Sequence, residues 1–191
     1  MVYSAYNELT KHYEIYELII STSEIKELTY ALGDLNAPEI SPDGSTIAFT
    51  RFYNDPGKPT TWLINRDGSN PRELSKDRAI DPTWSPDGKQ ILFASVINGL
   101  SQLFIINLDG ISLRQVSNLP ALRGRSDWSL QGLIITYPGK PWERELFIMN
   151  LDGSDQRQIS PAGGNSQGPS FSPDGQWVAF TSYFDKYEVH G

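Results

Sequence analysis

PTWSPDGKQILFA, residues 82–94, sets a four-residue turn, Ser85-Pro86-Asp87-Gly88, directly ahead of an apolar run. The same arrangement stands at 38–50 as PEISPDGSTIAFT, with Pro42, Asp43 and Gly44, and at 169–181 as PSFSPDGQWVAFT, with Pro173, Asp174 and Gly175. A worn copy, SDWSLQGLIITYP at 126–138, keeps Ser129 and Gly132 but has Leu130 and Gln131 in place of Pro and Asp. The turn serines Ser41, Ser85, Ser129 and Ser172 follow one another at intervals of 44, 44 and 43 residues. Self-similarity at a fixed period of this size marks a repeat architecture and has to be read before anything else.

A second element keeps the same beat. It reads TTWLINRDGSNPRELS at 60–75, SQLFIINLDGISLRQVS at 101–117 and RELFIMNLDGSDQRQIS at 144–160. Its Asp-Gly pairs are Asp67-Gly68, Asp109-Gly110 and Asp152-Gly153, and a hydroxyl residue follows eight positions after each Asp, at Ser75, Ser117 and Ser160. YEIYELIISTSEIKELT at 13–29 is its worn copy, with Ser21-Thr22 where the others have Asp-Gly.

Pro presets φ in such a turn, Asp bonds back to the local backbone, and Gly accepts positive φ. Asp-Gly between two apolar runs is a strong hairpin signal. Each unit therefore reads as four short antiparallel strands; in one unit these are 82–85, 91–96, 103–107 and 114–117. Helices are excluded because the runs are short and Gly or Pro punctuates them. The second-strand runs Ile47-Ala48-Phe49, Ile91-Leu92-Phe93-Ala94, Leu133-Ile134-Ile135 and Val178-Ala179-Phe180 are apolar at consecutive positions. A sheet with one wet face would alternate, so these strands are covered on both sides. Stacking of blades around an axis does this, and the expected fold is all-β, a β-propeller of four-stranded antiparallel blades.

The pattern Pro-x-x-Ser-Pro-Asp-Gly-x-x-Ile-x-Phe, then Leu-Asp-Gly, then Arg-x-Leu-Thr/Ser, resembles the TolB-type propeller repeat, a relative of the WD-repeat family. The resemblance runs from Val2 to His190. It implies six blades and a role in gating or recognition, in related proteins beside peptidase domains. This chain holds about four and a half repeats in a single propeller domain, 1–191: a partial blade at 2–29, blades at 38–75, 82–117 and 126–160, and a partial blade at 169–190. VYSAYNELTKHYEIY at 2–16 aligns with VAFTSYFDKYEVH at 178–190, so the chain starts in a second strand and ends entering a third. Partial blades expose strand edges and apolar surface, which invites pairing. Homo-oligomerisation through the incomplete terminal blades, or a longer parent protein, is expected over a lone closed ring.

The totals bound the function. There are 191 residues, 38% hydrophobic, with 16 Lys and Arg against 23 Asp and Glu, a net charge of −7. That balance argues against nucleic acid as the partner. No run is long and apolar enough to insert in a membrane, and the first twenty residues are not a secretory signal. The chain as given reads as cytoplasmic, and as periplasmic if an upstream signal has been removed. Cysteine is absent and the only histidines are His12 and His190, so thiolate chemistry and zinc are not expected, nor any other cofactor. One carboxylate per turn does not make a calcium cage.

Gly164-Asn165-Ser166-Gln167-Gly168 matches G-x-S-x-G, but a nucleophile elbow needs a strand before it and a helix after it. Here the motif sits in the Gly-rich stretch 161–168, with Pro169 opening a strand. Asp185 and His190 complete a triad on paper only. No catalytic residue is expected. Binding is expected on the longer loops at the end of the blades opposite the turns. Arg78, Asp81, Arg123, Arg125, Asp127 and Trp142 lie there, with Phe52 and Tyr53 nearby. Arg and aromatic residues are favoured at interface hot spots. The leading expectation is a non-enzymatic scaffold for a protein or peptide. The alternatives are an accessory propeller of a larger envelope assembly or peptidase, and a hydrolase or lyase with a channel site.

Overall fold

The computed structural model describes residues 1–52, 58–75, 77–119, 122, 125–139 and 143–183. Strands and turns, with no helix, make up these residues, so nothing among them is a helix long and apolar enough to cross a membrane. Seventeen strands form five sheets, and in each sheet chain neighbours are also spatial neighbours. The first sheet holds β1 (Val2–Asn7), β2 (His12–Ile19) and β3 (Glu24–Glu27). The second holds β4 (Asp34–Ile40), β5 (Thr46–Phe52), β6 (Thr60–Asn65) and β7 (Arg72–Glu73). The third holds β8 (Ile80–Trp84), β9 (Gln90–Ile97), β10 (Leu100–Asn107) and β11 (Leu113–Gln115). The fourth holds β12 (Asp127–Trp128), β13 (Leu133–Thr136), β14 (Phe147–Asn150) and β15 (Arg157–Gln158). The fifth pairs β16 (Asn165–Phe171) with β17 (Val178–Tyr183). These are the antiparallel meanders of a β-propeller.

Each Ser-Pro-Asp-Gly turn closes on itself. The Gly88 amide donates to the Ser85 carbonyl at 2.9 Å, the Lys89 amide donates to the Asp87 carboxylate at 3.1 Å, and the Ser85 hydroxyl both donates to Asp87 (2.7 Å) and accepts from the Gln90 amide (2.9 Å). Gly88 sits at φ 69°, which a Cβ would oppose. Ser41 and Ser172 repeat the scheme with Asp43 and Asp174. At Leu130-Gln131 the turn survives without Pro and Asp, because Ser129 still accepts from the Leu133 amide (3.1 Å) and Gly132 still holds φ 76°.

Hydroxyls after the last strands of the first, third and fourth sheets carry a second recurring bond set. Thr29 accepts from the Ile15 amide (2.9 Å) and donates to Glu14 (2.7 Å), whose other oxygen accepts from the Ala31 amide (2.7 Å). Ser117 accepts from the Leu103 amide (2.8 Å) and donates to Gln102, and Ser160 accepts from the Leu146 amide (2.9 Å) and donates to Glu145 (2.6 Å). One carboxylate or amide, buried at Glu14 and Gln102 and half-buried at Glu145, thus clamps the last strand and the connection leaving the sheet. The outer strands β7, β11 and β15 are two or three residues long and carry Arg72, Glu73, Arg114 and Arg157, which blunts them as edges.

By contacts the chain forms two compact units, Met1–Ser95 with Phe104–Arg114, and Val96–Leu103 with Gln115–Gly191. In the first unit β5 is buried on both faces. Ile47 and Phe49 join Ile15, Leu28 and Ile64 of one core cluster, while Ala48 joins Leu63, Ile91, Phe93 and Phe104 of another. Consecutive strand residues point oppositely, so an uninterrupted apolar run is what a strand wedged between two sheets requires. In the second unit Leu103, Val116, Ile134, Ile135, Leu146 and Met149 are buried.

Three readings need correction. The apolar run Val178-Ala179-Phe180 in β17 is not covered on both sides, since Ala179 is exposed and Phe180 is 43% exposed. Pairing of Tyr3 with Tyr16, as Phe49 pairs with Trp62, sets Tyr3 beside Phe49 in the repeat, while the Phe171–Val178 and Ile40–Ile47 pairs set Phe180 there too. The alignment of 2–16 on 178–190 is therefore one residue out of step, and a one-residue slip exchanges the two faces of a strand. The stretch 161–168 is also not all loop, since β16 starts at Asn165.

Candidate functional site

The first strands β4, β8 and β16 each break register at one point: between Asn36 and Glu39, between Ile80 and Thr83, and between Gln167 and Ser170. At those points Ala37, Asp81 and Gly168 have φ 51°, 55° and 61°. Each directly precedes a proline, Pro38, Pro82 or Pro169, three residues before the turn serine. The bulge bends the strand and re-aims the side chain there. Glycine takes positive φ freely; Ala37 and Asp81 hold it at a cost of about 1–2 kcal/mol each. The Xaa-Pro pair repeated three times was the sequence signal for it.

Asp81 is the polar side chain among these three. Its amide donates to the Thr50 hydroxyl at 3.0 Å. The segment leading to it is pinned: the Ala79 amide donates to the Pro59 carbonyl (2.9 Å), the Thr61 hydroxyl donates to the Ala79 carbonyl (3.3 Å), and the Ser75 hydroxyl donates to the Asp77 carbonyl (2.9 Å). Arg78 lies within this segment and is half-buried, like Asp81. Arg51, next to Thr50, lays its guanidinium 4.5 Å from the centroid of the Trp62 ring, whose indole N–H donates to Thr60 at 2.9 Å. The first unit therefore brings Arg78 and Asp81 together on one braced segment against Thr50, while the Arg51–Trp62 pair lies on the opposite face of the second sheet, on the side of Ile15, Ile47 and Phe49. Sequence reasoning missed Arg51 because nothing in the spacing joins it to a tryptophan across the hairpin.

In the second unit Asp127 is engaged by backbone: one carboxylate oxygen accepts from the Phe171 amide (2.6 Å) and the other from the Trp128 amide (2.8 Å). Such a carboxylate staples β12 to the first strand of the next sheet. Arg125 is half-buried just before it. Arg144 reaches Gln167 and lies 5.9 Å from the Tyr137 ring centroid. Arg123, Trp142, Tyr53, Asp185 and His190 lie outside the described residues.

Ser166 is fully buried within β16, its hydroxyl 2.9 Å from that of Ser182 and its amide donating to the Arg144 carbonyl at 2.7 Å. The strand continues to Phe171, so the residues around Ser166 do not form an elbow. His12 holds its Nδ1 3.4 Å from Asp34, which also accepts from the Tyr13 amide at 3.0 Å. At the turn ends the aspartates are committed to their own loops. The Ser41 hydroxyl, helped by the Ser45 amide and hydroxyl, holds the Asp43 carboxyl at about 2, and the Ser85, Ser172 and Ser69 hydroxyls lower Asp87, Asp174 and Asp67 in the same way. Among the described residues no three His, Asp or Glu side chains are grouped as metal ligands.

The family model of the TolB beta propeller domain matches residues 2–140. TolB of the Tol-Pal system from Anaeromyxobacter sp. (strain K) is 32% identical over 95 residues, which is 49% of this chain and 21% of that protein. Dipeptidyl-peptidase 5 of Porphyromonas endodontalis is 29% identical over 120 residues, 60% of this chain and 16% of that protein. Among solved structures, TolB from Acinetobacter baumannii superposes with a TM-score of 0.82 at 16% identity, over 96% of this chain and 47% of that one. The chain thus spans about a sixth and a fifth of these two curated relatives and half of the solved one. With both turns, the strand order and the family model in agreement, the chain belongs to the TolB β-propeller family.

Proposed function

We propose that this chain is a binding propeller without a catalytic step of its own, and that it takes a protein or peptide segment at the loop ends of its sheets. The observation that carries the reading is the braced Arg78–Asp81 segment. Its backbone is held by the Thr50 and Thr61 hydroxyls and the Pro59 carbonyl, and the strain at Asp81 is of the kind that rigid surroundings sustain at functional positions. By their place in the sequence repeat Arg123, Arg125 and Trp142 are proposed as loop-end residues of the second unit, where Asp127 fixes β12. Arginine and tryptophan offer charge-assisted and stacking contacts, so the partner segment is acidic with aromatic or apolar anchors. A nucleic acid partner is disfavoured by the net charge of −7.

The test is fluorescence anisotropy with a fluorescein-labelled peptide of alternating glutamate and phenylalanine. Saturable binding that weakens with salt, and falls by about ten-fold in the Arg78→Glu variant, supports the reading. Equal binding by the variant, or none at millimolar peptide, overturns it.

A second reading is favoured by the likeness to dipeptidyl-peptidase 5, of which the chain spans 16%. In it the propeller is the accessory part of a longer peptidase. Sequencing the gene on both sides, and assaying dipeptide-amide hydrolysis by the full product, separates the two.

A further inference from the structure

A glycine that follows Asp or Asn brings an amide nitrogen unshielded by a Cβ within reach of the preceding side-chain carbonyl. Attack of that nitrogen on that carbon closes a succinimide ring. The sequence has six Asp-Gly pairs and a single Asn-Gly pair, Asn98-Gly99.

In every Asp-Gly pair both reacting groups are held. The glycine is the fourth residue of its turn, and its amide donates to the carbonyl three residues back, at 2.8 Å for Gly44 and Gly175 and 2.9 Å for the others. The Asp carboxylate accepts from the amide two residues on, as from Ser69 on Asp67 at 2.9 Å and from Lys89 on Asp87 at 3.1 Å. Asp43, Asp109, Asp152 and Asp174 are pinned in the same way.

Asn98-Gly99 is built differently. It forms the tip between β9 and β10, with φ 52° at Asn98 and 80° at Gly99, the two left-handed positions of a two-residue hairpin loop. Glycine is here the third residue of the turn, so the closing amide is that of Leu100. Among the described residues neither the Gly99 amide nor the Asn98 side chain has a hydrogen-bond partner. Val96 to Leu100 are all exposed, and a Cβ on Gly99 would meet nothing within 4 Å.

We propose that Asn98 is a site of spontaneous deamidation in the folded protein, with water as the reagent. The Gly99 nitrogen loses its proton to solvent and bonds to Cγ of Asn98; the bond from Cγ to the side-chain nitrogen breaks, and ammonia leaves. Water then opens the ring. Attack at Cγ gives aspartate, and attack at the main-chain carbonyl gives isoaspartate, with no change of oxidation state. Either product sets a negative charge among the aliphatic side chains of Val96, Ile97 and Leu100. Aspartate suits the same turn, whereas isoaspartate adds a carbon to the main chain at the hairpin tip. The proposal is independent of the loop-end binding reading and makes no use of Arg78 or Asp81.

The test is peptide mapping by mass spectrometry, with electron-transfer fragmentation to tell isoaspartate from aspartate, after incubation in mildly alkaline buffer with and without urea. In the native chain Asn98 should convert at a rate within about ten-fold of that in the unfolded chain. The Asp-Gly peptides should gain isoaspartate only in urea. Asn98→Gln, whose side chain would have to close a larger ring, should lose the product in both. A native chain that keeps Asn98 while the unfolded chain converts it overturns the proposal, because the hairpin would then hold the pair. Isoaspartate forming at Asp67 as fast as at Asn98 in the native chain overturns it too.

Discussion

A Cβ built on Gly68 would stand 2.6 Å from the carbonyl oxygen of Leu28, the residue before Thr29 in the preceding sheet. Gly110 meets Leu74 in the same way at 3.2 Å, and Gly153 meets the Val116 carbonyl. The glycine of each Asp-Gly turn therefore answers two demands at once, positive φ in its own hairpin and room for the neighbouring backbone.

These demands separate experimentally. At Gly88 a Cβ would touch only the Pro42 ring at 3.6 Å, an ordinary contact, so Gly88→Ala carries the conformational term alone, about 1–2 kcal/mol. Gly68→Ala carries that term and forces backbone out of the way. Urea unfolding should show Gly68→Ala as clearly the more damaging of the two. Equal losses would mean that turn conformation alone explains the glycine.

This division marks what could be read in advance. The period, the antiparallel meander and the double cover of β5, β9 and β13 were legible, because Pro, Asp and Gly act on their own turn and apolar runs report local burial; β17 carries the same apolar run without that cover. The close approach of Leu28 to Gly68 was not legible, since nothing in a single repeat records what its neighbour presents. For the same reason Asp127 read as a surface carboxylate: its partner, the Phe171 amide, lies 44 residues on. Arg51 was not legible either, because Trp62 meets it only across a hairpin. In 2–16 the register is carried by the aromatic pair Tyr3–Tyr16, a cross-strand match that linear spacing does not record.

Phe93 is buried and stacks on Phe104 inside the cluster joining the second and third sheets. Phe93→Ala should cost about 3–5 kcal/mol, as large-to-small changes do in cores that cannot collapse. Chemical denaturation measures it. A loss under about 1 kcal/mol would place Phe93 on a yielding surface and contradict the packing between these sheets.

Glu14 is fully buried and accepts from the Thr29 hydroxyl and the Ala31 amide, both at 2.7 Å. Removing it strands the buried Thr29 hydroxyl and takes a partner from the Ala31 amide, so Glu14→Ala should destabilise by about 1–3 kcal/mol for the lost partner alone. Glu14→Gln keeps an acceptor and copies Gln102, which serves Ser117 in the third sheet. Thermal melting should rank wild type close to Glu14→Gln and well above Glu14→Ala. If Gln is as damaging as Ala, two carboxylate oxygens are required rather than one acceptor.

Asp43 carries the pH dependence of its turn. Its carboxyl is held at about 2, below the ordinary 3.8, first by the Ser41 hydroxyl and then by the Ser45 amide and hydroxyl. The folded value lies below the unfolded one, so folding favours the charged form. The stabilisation is complete above about pH 4 and disappears as pH falls through about 2. Asp87 and Asp174 shift in the same direction, through Ser85 and Ser172, and add to the same window. Unfolding midpoints of the wild type should therefore fall between about pH 4 and pH 2, and Asp43→Asn should flatten part of that fall. Ser41→Ala should return the Asp43 carboxyl towards 3.8 in a carbon-detected NMR titration, because it removes the largest cause of the shift. A wild-type carboxyl already titrating near 3.8 would show that the Ser41 hydroxyl points elsewhere in solution and that the turn is closed by Gly44 and Pro42 without it.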